Sequence, residues 1–205
     1  MLKLLTNSEN YLDRFCLNIH LNEFEYSNMC GHFIMSPEAV FRSDCTSVNG
    51  AFAAYTNSKF EIFGKSVVIK MPGINFSGTT IRTIENFTHG ELSYIDGCSN
   101  TGLIPPGRNG EPCINYLHFP KNITQTPHTH PSIRIGYVLD GAGTAHTATG
   151  KIELTEDSVF LLDRHTLHNF STSNSTMSLM VFHPDSDSGP TDEFNPMKTR
   201  TYIQK

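Results

Sequence analysis

The 205 residues carry a formal net charge of −5, from 15 basic and 20 acidic side chains scattered without a run of either sign, and 38% of positions are hydrophobic. That balance excludes a disordered chain and gives no row of cations to neutralise a phosphate backbone, so no nucleic-acid partner is expected. No stretch approaches the roughly 20 apolar residues of a membrane span, and Met1-Leu2-Lys3-Leu4-Leu5 turns polar too soon for an export signal, so no membrane partner is expected either.

Five cysteines (Cys16, Cys30, Cys45, Cys98 and Cys113) at wide, irregular spacing form neither a zinc knuckle nor a disulfide framework, and a cytoplasmic protein with reduced thiols is expected. In chain order, the mix of polar and apolar positions over residues 11–21 is compatible with a short amphipathic helix. Residues 60–63 and 67–69 then read as strands flanking a hairpin turn at Gly64-Lys65-Ser66, and residues 79–84 alternate as a further strand. Between residues 97 and 112, Gly102, Pro105, Pro106, Gly107 and Gly110 form a dense cluster of turn formers, read as a long loop or boundary. Short strands follow at 114–119, 133–139, 143–148, 151–154, 158–162, 168–171 and 177–182, punctuated by turns at Asp140-Gly141, Thr149-Gly150 and Glu156-Asp157. Even spacing of this kind predicts a mainly β fold with an antiparallel barrel or sandwich. The expected division is a β-rich extension or degenerate companion barrel over 1–104, a barrel over 105–184 and a surface tail over 185–205, in which residues 201–203 could add an edge strand.

The chemistry concentrates in three histidines. His128 and His130 flank Thr129, and in an extended segment their side chains leave on one face, because strand side chains alternate with period two. Thirty-eight residues after His130, His168 opens another expected strand. Three neutral imidazoles suit iron, nickel, copper or zinc and leave open positions for water, substrate or dioxygen.

From His128 to Gly141 the chain resembles the first motif of the cupin superfamily: HxH, three residues, a usual Glu, six residues and Gly. Residues 157–168 match the spacing of the second motif, which ends in His168; the 15 residues between Gly141 and Asp157 resemble the short inter-motif length of compact cupins. The resemblance covers roughly residues 112–183 and implies a double-stranded β-helix (jelly-roll) barrel, a metal held by His128, His130 and His168, and a homodimer. Two positions depart from the pattern. Arg134 stands where the family usually has its Glu ligand, and Asp163 and His165 replace the Pro and Gly of the second motif. A guanidinium has no lone pair to offer a cation, so the ligand set is three-His and leaves a divalent ion its full charge, which favours anionic substrates. Strand parity turns Arg134 to the side of His128 and His130, where it could hold a substrate carboxylate in a bidentate pair.

Three-His cupins resemble thiol, diketone-cleaving and gentisate-type dioxygenases. The leading expectation is an enzyme that oxidises a small carboxylate-bearing molecule with dioxygen at one divalent ion, iron(II) for preference, with zinc, nickel, manganese or copper as alternatives. A non-oxidative lyase or isomerase, and a non-catalytic ligand-binding cupin, are the competing readings. Tyr116 and His118 share a face of one strand and are candidate substrate-binding groups, while His165 is a candidate support for the ligands; Tyr137, His146 and His183 are read as structural.

Overall fold

The computed structural model describes residues 1–185 apart from positions 14, 23, 27–29, 75, 87 and 109. In chain order the strands are β1 (Leu2–Leu4), β2 (Glu9–Leu12), β3 (Cys16–Leu21), β4 (Phe24–Tyr26), β5 (Gly31–Ser43), β6 (Ser47–Thr56), β7 (Phe60–Met71), β8 (Thr79–Thr83) and β9 (Leu92–Ser93). After a 3-10 turn at Ile95–Gly97 come β10 (Ser99–Ile104), β11 (Cys113–Phe119), β12 (Arg134–Thr147), β13 (Gly150–Thr155), β14 (Val159–Leu162), β15 (His168–Ser171) and β16 (Met177–His183). They form two sheets. One runs β1-β14-β12-β16-β11-β10-β9, with β13 and β15 paired to β12; the other runs β2-β3-β7-β5-β6-β8, with β4 on β7.

Alternation along each strand sorts the apolar side chains into three cores. On β16, Met180 and Phe182 join a core shared by the two sheets, while Met177, Leu179 and Val181 face the barrel interior. The same parity on β12 sends Ile135, Tyr137 and Leu139 to the shared core and Val138 inward. A third core, with Phe41, Phe52, Phe60 and Ile62, belongs to the second sheet alone. Full burial of each such side chain contributes about 2 kcal/mol relative to exposure, so the shared core is a principal reason the sheets stay together. Lys65 and Asp157 add an ion pair of 2.6 Å between them, at the solvent edge where such pairs contribute little.

The mainly β architecture is as expected, and four local readings are corrected. Residues 11–21 form no helix: β2 and β3 make a hairpin, with Leu17 and Ile19 fully buried at strand period. A helix that short is marginal alone, and burial of alternate residues decides the outcome. Gly64-Lys65-Ser66 is no turn, because β7 passes straight through it. Gly64 has φ 111° and pairs in register with Ala39, and the irregularity lies on β5 opposite, a bulge between Met35 and Glu38. The turn-rich stretch after Gly97 contains β10, paired with β11 through a register break at Gly102. Asp140-Gly141 likewise sits inside β12, where the register against β16 shifts between Val138 and Asp140. Gly141 has φ 77°, and a Cβ there would lie 2.0 Å from the Thr176 carbonyl oxygen, so only glycine fits. The turns at Thr149-Gly150 and Glu156-Asp157 are found, and residues 201–203 lie outside the described residues. Among the described residues no helix is long and apolar enough to cross a membrane.

Candidate metal centre

His128 lies in the extended segment leading into β12, and His168 is the first residue of β15. The two exchange backbone hydrogen bonds, His128 N to His168 O at 2.9 Å and His168 N to His128 O at 3.0 Å, so they face each other across an antiparallel bridge. The His130 carbonyl accepts from His165 N at 2.8 Å, which fastens the second histidine to the loop carrying the third. Ring centroids are 4.5 Å apart for His128 and His168, and 5.1 Å from His130 to each of them.

One ring nitrogen from each histidine lies within 4.8 Å of the others, a spread that one ion about 2.0–2.1 Å from each nitrogen draws together by small ring rotations. The tautomers suit that role. His128 Nδ1 donates to the Thr126 carbonyl at 2.8 Å and His168 Nδ1 to the Thr166 carbonyl at 2.9 Å, which leaves each Nε2 with its lone pair. Burial, reinforced by His128, His130 and Arg134 nearby, pushes the His168 imidazole down to about 4, so it is neutral and able to ligate at neutral pH. The three histidines therefore fit a transition ion.

The cavity beside them is about 30 Å³. Its walls are mostly apolar, with Leu117, Phe119, Phe160, Leu162, Phe170 and Val181, and its polar lining comes from the three histidines, Gln125, Arg134 and His183. Among the described lining residues there is no carboxylate. Gly136 makes the wall possible: a Cβ there would meet the Phe160 ring at 2.1 Å, so any side chain would drive that ring into the cavity. Gln125 is held from both ends, its Nε2 3.7 Å from Cys98 Sγ and its Oε1 accepting from Phe170 N at 3.3 Å.

Arg134 is 2% exposed and lies on the cavity wall with the histidines. Its Nη1 donates to Ser132 Oγ at 2.6 Å, to Ser132 O at 3.1 Å and to Ile133 O at 2.8 Å, and Ser132 Oγ in turn bonds the Asp185 carboxylate. Tyr116 and His118 are corrected. They share a face, but it is the one turned away from the cavity, because Leu117 and Phe119 between and beside them take the inward positions on β11. Tyr116 packs in the shared core and donates to Ser178 Oγ at 3.1 Å, and His118 Nδ1 lies 2.9 Å from the same oxygen. His183, read as structural, lines the cavity instead, its ring 6.5 Å from that of His130. The signal was its parity with Val181 on β16. For Gln125, which precedes the strand pattern, the sequence holds no comparable signal.

The His165 side chain is exposed, and its φ of 56° is the left-handed conformation that explains why a glycine is usual at this point of the motif. Replacing His165 with Gly is expected to raise stability by up to about 1 kcal/mol in urea unfolding and to leave transition-ion affinity unchanged, because only its backbone N–H touches the ligand set.

Residues 109–187 match the family model described as the AraC-like ligand binding domain. No curated protein matches the chain. Among solved structures, the cupin 2 conserved barrel domain protein from Leptotrichia buccalis superposes with a TM-score of 0.60 at 10% identity, over 89% of this chain and 89% of that one. The salicylate 1,2-dioxygenase from Pseudaminobacter salicylatoxidans gives 0.60 at 8% identity, over 86% of this chain and 76% of that one. A variant of that enzyme in complex with gentisate gives 0.58 at 7% identity, over 82% and 68%. The superpositions run through both sheets, and with the jelly-roll pairing of β11 to β16 they establish that this chain has the cupin fold, its residues 109–187 being the part that matches a ligand-binding domain.

Proposed function

We propose that the protein is a metal-dependent cupin enzyme that oxidises a small carboxylate-bearing molecule with dioxygen, with iron(II) as the ion bound by His128, His130 and His168. The observation that carries the reading is the pairing of a three-imidazole cluster, in which the Nδ1–H groups of His128 and His168 are tied to carbonyls, with a buried Arg134 on the same wall. Bound there, the ion would supply a redox-active template for substrate and dioxygen. Of the chain's own groups, the carbonyls of Thr126 and Thr166 orient two imidazoles, Arg134 holds the substrate carboxylate, and the aromatic wall excludes water. A homodimer, cytoplasmic location and reduced thiols complete the reading, and none of the five cysteines forms a disulfide.

The test is oxygen uptake by iron(II)-loaded protein offered a panel of small acids. Uptake is expected to match acid consumed and to vanish in the His168→Ala protein. Turnover that continues without oxygen would replace the reading by a lyase or isomerase. Binding of an acid with no turnover would favour a non-catalytic ligand-binding cupin, the second reading that the match to a ligand-binding domain supports.

A further inference from the structure

We infer that the cavity is an anion clamp for the carboxylate end of a short aliphatic acid, closed by Arg134 and His183 from facing strands, and that aromatic acids are excluded from it. This rests on the function proposed above and adds to it a residue and a substrate class. Three observations carry it.

The first is register. Ile135 of β12 pairs with Phe182 of β16, which sets Arg134 opposite His183, and the inward parity of both strands turns the two side chains into the same cavity. Cross-strand neighbours of this kind have Cβ atoms about 5 Å apart, a span that a carboxylate can bridge. The pair is 2% and 9% exposed, so the donors sit where water competes poorly.

The second is charge. The cavity lining holds Arg134, Gln125 and four imidazoles, with no carboxylate among the described lining residues, while the Asp185 carboxylate sits behind Ser132, on the side of Arg134 that is anchored. His183 Nε2 lies 3.5 Å from the Asn115 amide nitrogen and accepts from it, which leaves Nδ1–H as the donor of that ring. Arg134 supplies the charge, and its attachment to Ser132 and Ile133 holds the guanidinium in place before any ligand arrives.

The third is size. About 30 Å³ is room for roughly two water-sized groups, enough for the two oxygens of a carboxylate, so the rest of any acid must extend past the aromatic wall, which a ring meets sooner than a short chain does. The wall cannot easily yield. Phe170 packs against Phe119 and Phe160 with ring centroids 5.7 Å away in each case, and Phe160 lies directly on Gly136.

The experiment is calorimetric titration of pyruvate and of salicylate into zinc-loaded and metal-free protein, with zinc content measured separately. Pyruvate is expected to bind both forms, more tightly with zinc, and salicylate to bind neither. Arg134→Met and His183→Leu are each expected to weaken pyruvate at least tenfold with zinc content retained, and Phe160→Ala to admit salicylate. Salicylate binding the wild type as tightly as pyruvate overturns the size selection, and pyruvate affinity unchanged in both variants overturns the clamp. The wild-type contrast between the two acids stands where a variant does not fold. Protein that takes up no zinc yet binds pyruvate through Arg134 and His183 would sink the metal-dependent reading and leave the clamp standing.

Discussion

Replacing His168 with alanine is expected to lower transition-ion affinity by more than about a hundredfold, since loss of a mere outer-sphere partner already costs 10- to 100-fold. His168 is the side chain through which β15 enters the cluster. It is 2% exposed, its Nδ1–H is committed to the Thr166 carbonyl, and its backbone closes the bridge to His128. The alanine protein keeps that bridge, because both of its bonds are made by main-chain atoms, so the loss falls on coordination and not on the barrel. Competition against a chromophoric chelator measures the affinity. A second reading comes from unfolding: an ion at a hundred times its dissociation constant stabilises a folded protein by about 2.7 kcal/mol, and that increment should be present in the wild type and absent in His168→Ala. Equal affinities in the two proteins would remove His168 from the ligand set.

What was legible in the sequence followed from local periodicity. The strands from β11 onward carry alternating apolar residues between turn formers, and each except β12, which reads as two strands split at Asp140-Gly141, is legible within a few residues of its observed bounds. The three histidines were legible for a related reason: a two-residue spacing in extended chain and a ligand at a strand start are both local. Properties that depend on the partner strand were not. Gly64 and Gly141 look like turn glycines, but each is paired inside a strand close to a bulge, the one on β5 between Met35 and Glu38 and the one on β12 between Val138 and Asp140, and a bulge is defined by the register of the strand opposite. The inward face of β11 was equally hidden, because both faces of that strand are buried, one in the shared core and one in the barrel; with apolar neighbours on each side, nothing in Cys113–Phe119 says which way Tyr116 and His118 point. His183 was missed because strand parity on β16 acquires meaning only once the cavity is known to lie on the side of Val181.

Acid is expected to weaken the fold through His32, a residue far from the metal centre in sequence and in sheet. His32 is fully buried on β5, between Thr56 of β6 and Lys70 of β7, with the Phe60 ring 5.2 Å and the Phe24 ring 5.9 Å from its own. Burial, with smaller contributions of the same sign from Lys70 and His20, pushes its imidazole down to about 4 against the opposing effect of hydrogen bonds with the backbone of Cys30 and Thr56. In the unfolded chain the same group takes up its proton near pH 6.5. Above that pH it is neutral in both states and contributes no pH dependence. Between pH 6.5 and 4 the unfolded chain binds more protons than the folded one, so stability falls as the pH falls. From pH 7.5 to pH 5 the expected loss from this one residue is about 2 kcal/mol. His168 titrates in the same direction in metal-free protein, so the quantity to measure is a difference between proteins. Urea unfolding of the wild type and of His32→Gln, which keeps a hydrogen-bonding side chain but cannot be protonated, should give lines converging by about 2 kcal/mol on going from pH 7.5 to 5. Parallel lines would mean that the protonated imidazole finds a partner inside the second sheet, and that its burial carries no acid sensitivity.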